Sequence, residues 1–237
     1  MFSSVVQSLV LSLLPLGNQK LAEGDIPSSQ IRSADLQLSF AIIQKQGVPG
    51  VTCAARIQND NVHWDENDRM TCMIHEEFGE LRTGANEYNA DGTATLPFFP
   101  NETYTVRLER ANGEVVESQI IMPGDSKILS PENHHIFRAG EEMLLRWQNP
   151  KFATAYGSYV SFKNENTGKA CNDDKSFKPE DKKDSYRFPA GNTLRCGDTD
   201  VFNAWLLGAN ETSIPSLDSH SRLVGLSYDQ IEARFVK

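Results

Sequence analysis

The sequence predicts an all-β chain of two tandem β-sandwich domains behind an N-terminal leader, and three observations carry that prediction. Apolar residues alternate with polar ones at period two in many short runs. No long helical periodicity exists from residue 36 onward. The four cysteines fall as two well-separated pairs, Cys53 with Cys72 and Cys171 with Cys196.

The chain has 237 residues, enough for two domains of ordinary size. Its hydrophobic fraction of 39% and charged fraction of 23% are those of a chain that buries a core. A formal charge of -9 repels phosphate backbones and anionic lipid headgroups, so nucleic acid is not an expected partner. From Val5 to Leu16 the chain is mostly apolar, about the length of a signal-peptide core and too short to span a bilayer. Residues 1–22 therefore read as a signal peptide or an N-terminal helix. Residues 23–35 are polar, contain Gly and Pro, lack periodicity and read as a linker.

The first domain is expected over 36–124. Leu36, Leu38, Phe40 and Ile42 alternate, a Gln46–Gly50 turn follows, and Val51, Cys53, Ala55 and Ile57 alternate again. Met70, Cys72 and Ile74 keep the same scheme, which turns both cysteines toward one core. Thr93 to Phe99 reads as a strand. Tyr104, Val106 and Leu108 form the inward face of the next, and Asn112-Gly113 is a hairpin turn leading into Glu114 to Met122. Pro123-Gly124-Asp125 breaks the pattern, and the second domain is expected over 125–237. Its strand signals are Ile128, Ile136, Met143 to Trp147, Tyr159 to Phe162, Tyr186 to Phe188, Leu194 to Cys196, Val201 to Leu207 and Ile231 to Val236. A polar loop from Asn164 to Asp184 carries Cys171.

None of the cysteine spacings is that of a zinc ribbon or a redox motif. Of the three connectivities, pairing Cys53 with Cys72 and Cys171 with Cys196 keeps each bridge within one domain, where it would stabilise by roughly 3 kcal/mol. Disulfides imply an oxidising compartment, and the expected location is extracytoplasmic: periplasm, cell surface or secreted.

The run Glu142 to Pro150, with Trp147 at the strand end and Tyr159 to Phe162 after it, resembles the second and third strands of fibronectin type III domains. Asn101 to Leu108 is similar to the late hairpin of immunoglobulin-like modules. An antibody-type domain fits less well, because Trp147 precedes both cysteines of its domain instead of lying between them. The resemblance implies a scaffold of immunoglobulin-like or fibronectin type III-like sandwiches and names no ligand.

Enzyme motifs fail in detail. Gly225 to Asp229 lacks the closing glycine of a nucleophile elbow, and His75 to Gly79 has glycine where a second zinc ligand would stand. The expected function is a non-catalytic interaction or structural protein that presents sandwich loops to a protein partner, with a surface carbohydrate-binding protein as the alternative. Trp64, with His63, is the expected ligand contact, whereas Trp147 and Trp205 are expected in the core. No cofactor is expected. Calcium is the one ion with candidate ligands, at Asp65 and Asp68 and at Asp173 and Asp174, all in acidic loops. Two sequons, at Asn101 and Asn210, lie in expected loops.

Overall fold

The computed structural model describes residues 25–81, 94–138, 140–170, 184–188 and 198–236. These are all β apart from two 3₁₀ turns, Ser28–Gln30 and Ser33–Asp35. No helix among the described residues is long and apolar enough to cross a membrane. The chain forms two compact units: Met1–Pro123 with Ala209–Leu226, and Gly124–Gly208 with Ser227–Lys237.

The first unit contains β1 (Ile26–Pro27), β2 (Leu38–Lys45), β3 (Val51–Ile57), β4 (Val62–His63), β5 (Arg69–Ile74), β6 (Glu77–Leu81), β7 (Ala94–Leu96), β8 (Thr103–Glu109) and β9 (Val115–Ile121). One sheet runs β2-β3-β7, and the other runs β6-β5-β8-β9. β3, β8 and β9 alternate strictly between buried and outward residues, which lets each sheet turn one apolar face to the other. The expected strand at Thr93 to Phe99 is shorter, Ala94–Leu96, and the β8–β9 hairpin closes through the expected Asn112-Gly113 turn with Gly113 at φ 87°. Cys53 on β3 and Cys72 on β5, both fully buried, form a disulfide across the two sheets with Cα atoms 6.6 Å apart.

Tyr104 is fully buried; its hydroxyl donates to the Pro97 carbonyl at 2.5 Å and accepts from Phe99 N–H at 3.0 Å. This tyrosine corner at the entry to β8, together with the strand order, is the arrangement of immunoglobulin-like and fibronectin type III-like sandwiches.

Two features of this unit differ from the expectation. Residues 25–35, read as part of a linker, are tied to the sandwich: β1 pairs in parallel with β4, and Ser28 and Ser33 are buried. Their polar groups are used by Arg110, whose guanidinium donates to Ser33 Oγ at 2.6 Å and to the Ser28 and Ile31 carbonyls at 2.5 Å. Residues 209–226, assigned to a second domain of 125–237, belong instead to the first unit. There Ile214, Leu217 and Leu223 bury their apolar surface in its core.

The second unit contains β10 (Lys127–Ser130), β11 (His135–Arg138), β12 (Met143–Gln148), β13 (Ala155–Asn164), β14 (Ser185–Phe188) and most of β15 (Thr199–Ser213) and β16 (Arg222–Val236). β10-β12-β14 make one sheet and β13-β15-β16 the other, with β11 parallel to β16. The chain thus changes sheets between β10 and β11, and β12 and β13 lie in opposite sheets. Trp147 is in the core, with Phe162, Phe202 and Phe235 in mutual ring contact behind it. At Gly208 any side chain would collide, since a Cβ would stand 2.1 Å from Pro150 Cγ. The leader, Cys171 and Cys196 lie outside the described residues.

Candidate functional site

The outward face of β6-β5-β8-β9 is the best-defined surface in the first unit. Its antiparallel register sets four strands in rows: Phe78, Met73, Thr105 and Gln119 form one row, and Glu80, Thr71, Arg107 and Glu117 the next. Phe78 is 72% exposed, the most exposed large hydrophobic side chain among the described residues. It stands on β6, the edge strand of this sheet among the described residues. Gly79 beside it brings β6 close against β7, since a Cβ there would lie 2.4 Å from that of Ala94. The second row is held by Arg107, whose guanidinium pairs with Glu109 at 2.9 Å and Glu117 at 3.4 Å. An exposed ring is therefore set beside a preorganised charged row. At the β5–β6 turn, His75 takes a positive φ of 51°, packs its ring 5.0 Å from Phe99 and faces Glu102 at 3.7 Å.

The expected ligand contact, Trp64 with His63, does not present an exposed ring. Trp64 is fully buried in the first core, and His63 beside it is half-buried. The tryptophan that reaches the surface is Trp205, expected in the core: on β15 the inward side chains are Phe202, Ala204 and Leu206, so Trp205 faces outward and is partly exposed. Its ring stacks on Tyr228 of β16 with centroids 5.9 Å apart and planes at 22°. Burial raises the Tyr228 phenol above its usual range, so the pair is uncharged at neutral pH.

The candidate calcium ligands of the first unit spend their oxygens on the fold. Asp65 accepts from Ser29 Oγ at 2.5 Å and from Asn67 N–H at 2.9 Å. The Ser29 hydroxyl and then the Asn67 N–H hold its carboxyl below the usual range. Asp68 is buried and accepts from Ala111 N–H at 2.8 Å and from the Ser28 hydroxyl. Among the described residues no three His, Cys, Asp or Glu side chains gather as a metal site, and Asp173 and Asp174 lie outside them. Of the sequons, Asn101 is exposed on a turn, whereas Asn210 is buried and its amide donates to the Ile121 carbonyl at 2.8 Å. A void between the two layers of the first unit, lined by Leu38, Phe40, Met70, Val106, Val116 and Ile214 among others, is no larger than a water molecule.

No protein-family model matches the sequence, and no curated protein matches it. Among solved structures, the chain is similar to the fibronectin(III)-like modules of Clostridium thermocellum CbhA, at 11% identity over 85% of this chain and 94% of that one, with a TM-score of 0.26. It is also similar to DIP-gamma IG1+IG2 (9% identity, 86% and 98% covered, TM-score 0.22). A third is the BSP domain of a biofilm associated protein (11% identity, 84% and 29% covered, TM-score 0.23). TM-scores this low leave the strand order, rather than the likeness, as the ground for the fold.

Proposed function

We propose that this is a non-catalytic, extracytoplasmic interaction protein whose first sandwich binds a protein partner through the outward face of β6-β5-β8-β9. The observation that carries the reading is Phe78, 72% exposed on β6, the edge strand of its sheet among the described residues, with Met73 opposite it. Large exposed aromatic side chains are costly in water and supply most of the energy where proteins meet, while the Arg107 row adds orientation and selectivity. The extracytoplasmic part of the reading is supported by the Cys53–Cys72 disulfide, which persists in an oxidising compartment. The non-catalytic part is supported by Asp68 and Arg110, buried charged groups whose bonds to Ser28, Ile31, Ser33 and Ala111 serve the fold.

The test is capture on intact source cells and culture medium with the purified full chain, its Phe78→Asp variant and a Val48→Asp control, Val48 being exposed outside this face. A protein retained by the wild type and the control but lost with Phe78→Asp supports the reading. Equal retention by all three overturns it.

A further inference from the structure

The second unit carries a set of outward side chains that neither its folding nor the first unit's face uses. On β15 the outward series includes Asn203, Trp205 and Leu207; on β16, where Ile231, Ala233 and Phe235 face the core, it includes Tyr228 and Gln230. β15 and β16 are neighbours in one sheet, so these residues share a face. The Trp205 and Tyr228 rings are nearly parallel, but at a centroid spacing of 5.9 Å they overlap little, and each keeps part of its π face uncovered. The side-chain amides of Asn203 and Gln230, two residues along the strand from each ring, make no hydrogen bond among the described residues. An amide is both donor and acceptor, and among the described residues neither capacity of these two is used.

We infer that this face is a binding platform for a neutral saccharide, with Trp205 and Tyr228 as the stacking surface and Asn203 and Gln230 as its hydrogen-bonding rim. The chemistry of a pyranose matches what is offered: its C–H face carries partial positive charge that suits the negative face of an aromatic ring, and its hydroxyls pair with amides that both give and take. Charge narrows the class. None of the four side chains is ionised, and Arg234 further along the same face is paired with Glu165 at 3.1 Å. Arg222, the other cation of β15 and β16, is likewise paired, with Glu211 at 3.1 Å, and the chain as a whole is at -9, which disfavours a uronate or sulfate. The four side chains lie on a sheet face, which suits a polymer laid across the strands better than a small molecule enclosed in a pocket. It stands independently of the protein-partner reading, because it uses a different unit and different residues.

The test is native affinity electrophoresis of the full chain in gels containing hydroxyethyl cellulose, xyloglucan, galactomannan or glycogen, with polygalacturonate as the acidic comparison. At least one neutral polymer retards the wild type. Trp205→Ala weakens that binding about tenfold or more, as truncating a contact tryptophan does. Trp205→Phe restores part of it, and Asn203→Ala and Gln230→Ala each weaken it severalfold. Leu144→Ala, on the opposite sheet of the same unit, leaves it unchanged. Retardation by no neutral polymer, or by polygalacturonate alone, overturns the inference. So does a folded Trp205→Ala protein retarded like the wild type. If Trp205→Ala does not fold, the two amide variants decide, and wild-type retardation in both overturns it.

Discussion

Leu38 and Ser221 are 183 positions apart in the chain, yet the Leu38 N–H donates to Ser221 Oγ at 2.9 Å, and that hydroxyl donates in turn to the Leu36 carbonyl at 3.1 Å. All of these groups are buried, so the late hairpin tip is a working part of the first sandwich. Ser221→Ala leaves the Leu38 N–H without its partner and is expected to cost about 1–3 kcal/mol. Leu223→Ala, at a fully buried position in the same segment, is expected to cost about 2–5 kcal/mol. Urea titration checks both, through a lower midpoint at an unchanged slope.

The Arg110 guanidinium makes the N-terminal segment part of the fold. It is fully buried and holds Ser33, Ser28 and Ile31 on one side and Glu114 at 2.8 Å on the other. Arg110→Met removes these bonds together and takes the guanidinium donor from the Ile31 carbonyl, while the Ser28 carbonyl keeps only the Ile31 N–H at 2.9 Å. The expected loss is about 1.5–3 kcal/mol, the range for a hydrogen bond to a charged group lost in the interior. Arg110→Lys should recover little, because one ammonium cannot span partners that a planar fork reaches at once. Limited proteolysis reads the same event locally: cleavage within residues 25–35 should become faster in Arg110→Met before the whole chain unfolds.

Three carboxylates make stability fall in acid. Asp65 is held below its usual range first by the Ser29 hydroxyl, Glu114 first by the Ser33 hydroxyl, and Asp218 first by the His220 backbone N–H. A folded pKa below the unfolded one means that the unfolded chain binds protons more readily. The stabilisation is therefore complete above the unfolded carboxylate range and is lost as pH falls through the folded values. Thermal melting from pH 7 to pH 3 should show a falling Tm below about pH 5. Asp65→Asn should lower Tm at pH 7 and reduce its pH dependence, and an acid limb unchanged by that substitution would remove Asp65 from the account.

The alternation of Val51, Cys53, Ala55 and Ile57, the Asn112-Gly113 turn and the core position of Trp147 were all legible in the sequence, because each follows from local periodicity or turn chemistry. The two surface-to-core exchanges were not, and the reasons differ. In Val201 to Leu207 both parities are apolar apart from Asn203, so a period of two cannot say whether Trp205 faces in or out. Trp64 lies between His63 and Asp65, a polar setting that hides its burial; Asp65 and Asp68 there turn inward to serine hydroxyls some 40 residues upstream in the chain. The return of residues 209–226 to the first unit has no local signal, since it depends on which sheet edge a long hairpin meets.

The Cys53–Cys72 bridge joins the two sheets of the first unit, and its reduction tests how far that sandwich depends on an oxidising compartment. Both sulfurs are buried, so a reductant reaches them only when the unit opens. At low denaturant, tris(2-carboxyethyl)phosphine should therefore act slowly, at a rate scaled by the small population of the open form. A Cys53→Ala, Cys72→Ala chain lacks the cross-link in its unfolded state and should lose roughly 3 kcal/mol in the first unit. The wild type should fall to a similar stability only once it has been unfolded and reduced. Fast reduction of the native protein, with no change in the urea midpoint, would mean that the bridge lies outside the cooperative core and would take away the structural support for an extracytoplasmic location.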